Sequence, residues 1–343
     1  MKKIVLCGGG TAGHILPCLA LIPELKKRFD EIYYFGSKDG MEYELVQKEN
    51  IPFFHVDSIK FSRTNLLSNI KIPFILPKCI KKCEKLLSQL KPDVIFSKGG
   101  YVSLPVTESA RKLSIPYVIH ESDATLGLAN KIASRGAKLI LTNFPNTHKG
   151  EIVVGIPLRN NLYCNKDKSV LLNSYGLENK KTILVLGGSL GSKTINDNLY
   201  KVLDLLIKQY NVIHITGKNN PSNIKIKNYL PITFTSDIGK LYLVADIVVS
   251  RSGATCIAEL QSLGKKVILI PLSKKASRGD QLINAKIITD INQNFSMIQE
   301  NELTPQILYN QILSVDKKEL IKYENNNKSN AEIVDLILSC CSE

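Results

Sequence analysis

The stretch KIVLCGGGTAGH, residues 3–14, decides the fold. It joins an apolar run of strand length, Lys3–Cys7, to a glycine-rich turn, and Pro17 to Phe29 then have the apolar spacing of a helix. Glycines permit a positive φ and a close approach to a ligand, and the free N–H groups of a helix N-terminus attract anions. The stretch therefore predicts a buried strand, a phosphate- or sugar-binding turn and a helix, as in a parallel α/β sheet.

The same pattern continues along the chain and then restarts. Short apolar strands are predicted at residues 31–35, 93–96, 117–120, 181–186, 212–215, 246–249 and 266–270. The strand at 181–186 ends in a second glycine pair, Gly187 and Gly188, a helix is expected from about Lys193, and a last helix at Ala331–Cys341. Two such starts predict two doubly wound α/β units that face a cleft, with ligands at the carboxyl ends of the strands.

Composition narrows the class of protein. The chain has 343 residues, 44% hydrophobic and 22% charged, which is typical of globular domains and excludes disordered, collagen-like and coiled-coil chains. Its 45 lysines and arginines against 31 acidic residues give a formal charge of +14. A soluble enzyme does not need this excess, so we expect an anionic partner: nucleic acid, a phosphorylated substrate or a membrane surface.

Apolar runs and cysteines bear on location and metal content. No run approaches the about 20 residues of a membrane span, and the run before Gly8 is shorter than the about 7 to 15 residues of a signal peptide. We therefore expect the protein to stay in the cytoplasm. None of the eight cysteines forms a CxxC pair, so neither a structural metal nor a disulfide is expected.

The first glycine turn also matches the GxGxxG pattern of dinucleotide-binding proteins, at Gly8, Gly10 and Gly13. That interpretation requires an acidic residue at the end of the second strand to bind the ribose, but this strand ends in FGSK, residues 35–38. A nicotinamide cofactor is therefore not favoured. His14, which closes the turn, is either a capping or packing histidine or a general base, and the residues alone favour neither.

Further polar stretches follow the predicted strands. They are SKGGYVS (97–103), HESD (120–123), GGSLGS (187–192), SRSGAT (250–255) and GDQ (279–281). Backbone N–H groups at 250–255 can hold a diphosphate, and Glu259 can bind a ribose; the alternative for Glu259 is a solvated helix face. Two glycine loops without a Walker lysine motif favour a nucleotide-sugar enzyme over an ATPase.

Taken together and in this order, the motifs resemble the MurG family of bacterial glycosyltransferases over nearly the whole chain. GGYVS, and SRSGA with Glu259, are the specific parts, alongside GGGTAGH, HESD followed by Gly127–Lys131, GIPLR (155–159) and GGSLGS. The resemblance implies an inverting, metal-independent enzyme without a cofactor. It implies transfer of N-acetylglucosamine from UDP-N-acetylglucosamine to the C4 hydroxyl of undecaprenyl-pyrophosphoryl-N-acetylmuramoyl pentapeptide, which converts lipid I to lipid II in peptidoglycan synthesis.

The resemblance also implies the domain plan and the site. The fold is GT-B, with an acceptor and membrane-side domain at residues 1–158, a UDP-sugar-binding domain at 159–326, and a C-terminal helix at about 327–343 that packs back on the first domain. Glu259 matches the ribose-binding acid, Thr235 the uracil contact and Gln281 the reader of sugar hydroxyls. His14 matches a candidate catalytic histidine. The implied donor-binding residues are Thr11, Ala12, Gly13, Asp123, Arg159, Ser189, Thr235, Ala254, Thr255, Cys256, Glu259 and Gln281.

Four positions depart from the family pattern. Ile156 stands where better-known members have Asn, Leu190 replaces the glutamine of GGSQG, and Asp280 replaces the first of two glutamines. Asp123 replaces an asparagine, since HEQN is HESD here, and an acid near a diphosphate is unfavourable. These departures affect individual contacts and leave the class unchanged.

A basic segment suits a lipid surface. Seven lysines and arginines lie between Lys60 and Lys85 against one acid, Glu84, and they frame an apolar group. Each such surface charge contributes about 1 kcal/mol on anionic lipid. The residues expected to face the membrane and acceptor are Ile70, Lys71, Ile72, Phe74, Ile75, Lys78, Lys81 and Lys82. The alternative is a core helix with a solvated basic face; on the first interpretation the protein rests on the cytoplasmic face of the cell membrane.

Two other functions remain open at this stage. One is a related GT-B transferase, or a sugar-nucleotide epimerase, with a different acceptor. The other is a non-enzymatic protein that binds nucleic acid, which is not favoured because the chain has no Trp and no RNA-binding signature.

Overall fold

A computed structural model describes residues 1–37, 40–58, 70, 72–188, 190–273, 279–323 and 327–341. The chain divides into two compact units: Met1–Arg159 with Asn326–Glu343, and Asn160–Asn325. Each unit is built on a parallel sheet with helices between the strands. The doubly wound α/β class predicted from the sequence is therefore confirmed.

Within the described residues, the sheet of the first unit has seven parallel strands in the order β3-β2-β1-β4-β5-β6-β7. The strands are β1 (Lys3–Cys7), β2 (Glu31–Gly36), β3 (Phe53–His55), β4 (Val94–Ser97), β5 (Tyr117–Glu121), β6 (Leu139–Thr142) and β7 (Ile152–Val153). The helices are α1 (Ala12–Leu25), α2 (Met41–Gln47), α3 (Ile72–Leu90), α4 (Ser103–Lys112), α5 (Leu128–Ala133) and, from the end of the chain, α12 (Asn330–Leu338). The strand order reverses between β1 and β4, so the turns that follow these two strands meet at a topological switch point.

The second unit repeats this plan. Its described part has six parallel strands in the order β10-β9-β8-β11-β12-β13. The strands are β8 (Thr182–Leu186), β9 (Asn211–Ile215), β10 (Tyr229–Ile232), β11 (Ile247–Ser250), β12 (Lys266–Leu269) and β13 (Phe295–Met297). The helices are α6 (Lys168–Ser174), α7 (Lys193–Leu206), α8 (Ile238–Val244), α9 (Ala254–Ser262), α10 (Asp280–Ile291) and α11 (Pro305–Lys317). Here the switch point lies between β8 and β11, at the turns GGSLGS and SRSGA.

Both faces of the first sheet are buried. Successive side chains of a strand point to opposite faces, and β1 shows it: Ile4 and Leu6 pack with Ile337 of α12, whereas Val5 and Cys7 lie in the cluster on the other face. This two-sided burial is the reason why the strand is a continuous apolar run rather than an alternating one.

The first helix differs from the prediction. It begins at Ala12, directly after the extended N-cap Thr11, and ends at Leu25, whereas Pro17–Phe29 was expected. Pro17 lies inside the helix, and Phe29 lies beyond its end and is buried. The glycine turn therefore passes straight into a helix, which brings the first-turn residue His14 close to the turn.

Candidate active site

The turn between β1 and α1 holds His14 in one orientation. The ring Nδ1 of His14 lies 3.1 Å from the carbonyl oxygen of Gly9 and 3.2 Å from Oγ1 of Thr11. A carbonyl oxygen only accepts, so Nδ1 carries the proton and Nε2 is the basic nitrogen of the ring. Thr11, Ala12 and Gly13, the other residues expected in this part of the site, lie in the same turn and at the helix start.

The turn after β4 packs on this glycine turn. Gly100 has a φ of +84°, and a Cβ added there would lie 2.5 Å from the carbonyl oxygen of Gly9 and 3.0 Å from Nδ1 of His14. The ring of Tyr101 lies against Gly10 in the same way. The GGYVS motif therefore supports the glycine turn and the histidine, which explains Gly100; a Cβ on Gly99 would instead lie 2.9 Å from Nδ2 of Asn130.

Glu121 organises the turn after β5, where Asp123 lies. Its buried carboxylate accepts hydrogen bonds from the backbone N–H groups of Ser122 (2.9 Å) and Asp123 (3.2 Å) on Oε1. On Oε2 it accepts from the N–H of Gly127 (2.9 Å) and from Nδ2 of Asn130 (3.0 Å). Glu121 therefore fixes the whole turn up to Gly127, the N-cap of α5.

In the second unit, helix α9 starts at the carboxyl end of β11. Ala254 is its first residue and its N-cap is Gly253, which makes no side-chain capping bond. The helix therefore presents backbone N–H groups and the positive end of its dipole at the switch point of the sheet. Such a helix start suits a diphosphate. Thr255 and Cys256, both half-buried, complete the first turn.

The thiol of Cys256 makes a polar contact within the second unit. Its Sγ lies 3.1 Å from Oγ of Ser250, and burial raises the pKa of the thiol to about 11. The group is therefore protonated at neutral pH and is no nucleophile. The described ranges also contain no group of three or more His, Cys, Asp or Glu side chains that could hold a metal ion.

Glu259 lies on the same helix and is 7% exposed, so the alternative of a solvated helix face is wrong. Its Oε2 accepts a hydrogen bond of 3.1 Å from the hydroxyl of Tyr242 on α8. Burial raises the pKa of Tyr242 well above its ordinary value, so the phenol stays protonated and donates. A buried carboxylate held in this way is a strong acceptor for ligand hydroxyls.

Arg251 ties the turns of the second unit together, a role that the sequence did not suggest. It is 8% exposed, and its Nη2 donates to Oγ of Ser192 (2.6 Å) and to Oε1 of Glu300 (2.5 Å). Its Nη1 donates to the carbonyl of Ile270 at 3.1 Å. Ser192 caps α7, so one guanidinium links the turns after β8, β11 and β12. An arginine directly after a buried strand was the available signal.

The remaining residues that were expected to bind the sugar donor are less tightly grouped. Oε1 of Gln281 accepts from the N–H of Leu272 at 3.1 Å, and its carbonyl accepts from Ser252, beside the start of α9. Thr235 lies in the turn after β10, three strands from β11, and its Oγ1 accepts a hydrogen bond of 3.0 Å from the N–H of Asp237, the N-cap of α8. Arg159 is the last residue of the first unit's main segment. Ser189 lies outside the described residues.

The basic segment has two faces. Helix α3 buries Cys79, Cys83 and Leu87, which fits the core-helix interpretation. At its start, however, Phe74 is 72% exposed and Ile70 63% exposed. Of the other residues expected there, Lys78, Lys81 and Lys82 are exposed, Ile72 and Ile75 are half-buried, and Lys71 lies outside the described residues. None of the helices in the described ranges combines the length and apolarity needed to cross a membrane.

Comparison with known proteins places the chain. The Glycosyltransferase family 28 N-terminal domain matches residues 4–142, and the Glycosyltransferase family 28 C-terminal domain matches residues 182–339. A relative from Clostridium botulinum (strain Alaska E43 / Type E3), named UDP-N-acetylglucosamine–N-acetylmuramyl-(pentapeptide) pyrophosphoryl-undecaprenol N-acetylglucosamine transferase, is 42% identical over 98% of this chain and 96% of its own length. A Clostridium perfringens (strain 13 / Type A) relative of the same name is 43% identical over 95% of this chain and 93% of its own.

A solved structure agrees. The crystal structure of Acinetobacter baumannii MurG is 27% identical and aligns with a TM-score of 0.76 over 99% of this chain and 100% of that one. The architecture is therefore GT-B, and the epimerase and nucleic-acid-binding alternatives are not favoured. The chain is a glycosyltransferase, and it belongs to the MurG family.

Proposed function

We propose that this enzyme transfers N-acetylglucosamine from UDP-N-acetylglucosamine to the C4 hydroxyl of undecaprenyl-pyrophosphoryl-N-acetylmuramoyl pentapeptide, with inversion at the sugar. The names of its full-length relatives support both substrates. The observation that carries the proposal is the buried pair of Glu259 on α9 and Tyr242 on α8, together with the N-terminus of α9, which has no side-chain cap. That arrangement suits a nucleotide sugar, whose ribose hydroxyls and diphosphate require an acceptor and a cluster of N–H donors.

The donor is assigned chiefly to the second unit. Residues 254–256 and the helix dipole of α9 stabilise the diphosphate as UDP leaves, together with Arg159 and Ser189. Glu259 accepts from the ribose, Gln281 reads sugar hydroxyls and Thr235 contacts the uracil. From the first unit, Thr11, Ala12, Gly13 and Asp123 add donor contacts.

His14 is assigned as the base. With Nδ1 donating to Gly9, Nε2 takes the proton from the C4 hydroxyl while that oxygen attacks C1 of the donor sugar. The C1–O bond to the diphosphate breaks on the opposite side, which inverts the anomeric centre. The supports are the fixed tautomer and the packing of Gly100 on the ring.

The role of Glu259 is tested by replacing its charge without changing its size. Glu259→Gln should raise KM for UDP-N-acetylglucosamine by about 10- to 100-fold, the value of one hydrogen bond to a charged group. Release of UDP in the presence of the lipid acceptor gives the rate. Tyr242→Phe is the matched control: it removes the phenol hydroxyl and keeps the carboxylate, so its KM should rise less. An unchanged KM for Glu259→Gln would contradict the ribose assignment, and no acceptor-dependent UDP release by the wild type would contradict the proposed reaction.

We further propose that the start of α3 rests on the anionic cytoplasmic face of the cell membrane. Phe74, Lys78, Lys81 and Lys85 follow each other at helical spacing, and all four are exposed. An exposed aromatic ring at one end of a lysine stripe suits insertion into an interface whose headgroups are negative.

The membrane proposal predicts a charge-dependent affinity. Lys78→Gln/Lys81→Gln should weaken binding to anionic vesicles by about 2 kcal/mol, roughly 30-fold, because each lysine near the surface contributes about 1 kcal/mol. Vesicle sedimentation measures this. Lys201→Gln/Lys208→Gln removes the same charge from exposed positions of the second unit and should change binding less. Equal losses from the two pairs, or equal wild-type binding to neutral vesicles, would count against this surface.

A further inference from the structure

Lys98, directly after β4, is a buried cation that has no role in the reaction proposed above. It is 1% exposed, although lysine is among the residues least often buried. Its Nζ lies 2.7 Å from Nδ1 of His120 and 2.5 Å from Oγ of Ser122. Its Cβ lies under the first glycine turn, 3.0 Å from where a Cβ on Gly8 would be. A buried ammonium is costly unless its charge is offset.

Neither hydrogen-bond partner offsets that charge. Nε2 of His120 donates to the carbonyl of Gly155 at 2.7 Å, so Nδ1 accepts from Lys98. Burial, and then the charge of Lys98, hold the pKa of His120 well below its ordinary value, so the ring is neutral. Ser122 is neutral as well. The compensation must come from carboxylates nearby.

Two carboxylates supply it. The titratable and charged groups that face Lys98 are His120 and Glu121 of β5, Asp123 of the next turn, and Cys18 of α1. Burial lowers the pKa of Lys98 to about 8, and Glu121, Cys18 and Asp123 oppose that shift. Burial raises the pKa of Cys18 to about 12, so this thiol is neutral. Glu121, the stronger of the two, is fixed by its four hydrogen bonds. Asp123 acts more weakly on Lys98, but it directly follows Ser122, which the ammonium holds, and it is the one of the two that belongs to the proposed donor site.

We propose that Lys98 is a positioning residue of the transfer reaction, whose buried ammonium holds the Ser122–Asp123 turn and offsets the negative charge of Asp123. The inference rests on the proposed function. An aspartate whose charge is not offset would repel the donor diphosphate. The ammonium of Lys98 is hydrogen-bonded to Ser122, directly before Asp123, and its positive charge makes an aspartate tolerable at this position. On this proposal, the buried Lys98 explains why Asp123 can stand where the family pattern has an asparagine.

The test is a double-mutant cycle on kcat/KM for UDP-N-acetylglucosamine at pH 7. Lys98→Met keeps the length of the side chain and removes the charge, and should lower kcat/KM about tenfold when Asp123 is present. In an Asp123→Asn background the same substitution should lower it less than about threefold. Equal losses of kcat/KM in both backgrounds would overturn the proposal, because removing a lysine with a purely structural role would have the same effect in each.

The pH profile gives a readout that does not need Lys98→Met to fold. In the wild type, kcat/KM should fall as the pH rises through about 8, where Lys98 loses its charge. Asp123→Asn removes a negative neighbour and lowers the pKa of Lys98 further, so the fall should begin at lower pH. The fall should also be smaller in this variant, because no aspartate charge is left for Lys98 to offset. A fall at the same pH in both proteins would overturn the coupling of the two residues.

Thermal melting separates this inference from the proposed function. The pKa of Lys98 is about 8 in the folded chain against an ordinary 10.5, so between these values the unfolded chain binds more protons and stability rises with pH. The melting temperature of the wild type should rise relative to that of Lys98→Met between about pH 8 and 10.5. In an Asp123→Asn background, the same comparison should show the rise begin at a lower pH. A difference in melting temperature that does not change with pH would overturn the inference, even if the enzyme transfers the sugar. If the enzyme does not transfer the sugar, the proposed function is wrong, and the melting comparison still tests Lys98.

Discussion

His14→Ala is expected to lower kcat by about 10²- to 10⁴-fold, the usual loss when a positioned base is removed. The expectation follows from the tautomer: Nδ1 is held by the carbonyl of Gly9, so Nε2 is the nitrogen that accepts the proton. Because the alanine variant keeps the glycine turn and the donor-binding unit, KM for UDP-N-acetylglucosamine should change little. Single-turnover measurement of sugar transfer separates the chemical step from product release.

Two controls distinguish a base from a packing histidine. His14→Gln can still donate to Gly9 but has no basic nitrogen, so it should be as slow as the alanine variant if His14 is the base. If His14 only closes the turn, the glutamine variant should recover most of the rate. His55→Ala removes a half-buried histidine on β3 of the same unit, whose Nε2 lies 2.7 Å from Oδ1 of Asp57, and should leave kcat unchanged. A near-normal kcat for His14→Ala would exclude the base assignment.

The sequence predicted the strands that are buried on both faces. A strand covered by helices on both sides is a continuous apolar run, and such runs predicted eight of the described strands. They are β1, β2, β4, β5, β8, β9, β11 and β12. The strands that were missed are β3, β6, β7, β10 and β13, which have two to four residues and lie at or beside the sheet edges. Of these, β3, β7, β10 and β13 are only partly buried, so they lack the continuous apolar run that marks a strand covered on both faces. The start of α1 was misplaced because Pro17 resembles a first-turn proline, whereas the glycine turn already begins the helix.

The candidate site, like the fold, could be predicted only in part from the sequence. Motifs at strand ends predicted which turns meet, because parallel strands present all their carboxyl ends at one edge. Burial of single side chains was not predictable. Glu259 is buried through Tyr242, which belongs to a different helix, and Arg251 finds its partners 59 and 49 residues away in Ser192 and Glu300. Such contacts depend on the packing of elements that the local sequence does not describe.

Arg251→Met should cost the second unit about 3 to 5 kcal/mol of unfolding free energy, the usual result of removing one partner from a buried ion pair. The substitution keeps much of the side-chain volume but removes the guanidinium from both the carboxylate of Glu300 and the hydroxyl of Ser192. The carbonyl of Ile270 also loses its donor. Amide hydrogen exchange in β8 and β11 measures the local free energy of opening in this unit, independently of the first unit.

Two comparisons isolate the cause of that loss. Arg111→Met removes an arginine that pairs with Glu108 on the surface of α4, and should cost at most about 1 kcal/mol because exposed ion pairs contribute little. In Arg251→Met/Glu300→Gln no uncompensated carboxylate remains, so at least half of the lost stability should return. If the double variant is as unstable as Arg251→Met, the hydrogen bonds to Ser192 and Ile270, rather than the ion pair, hold the three turns together. A cost below about 1 kcal/mol for Arg251→Met would mean that the turns after β8, β11 and β12 keep their arrangement without it.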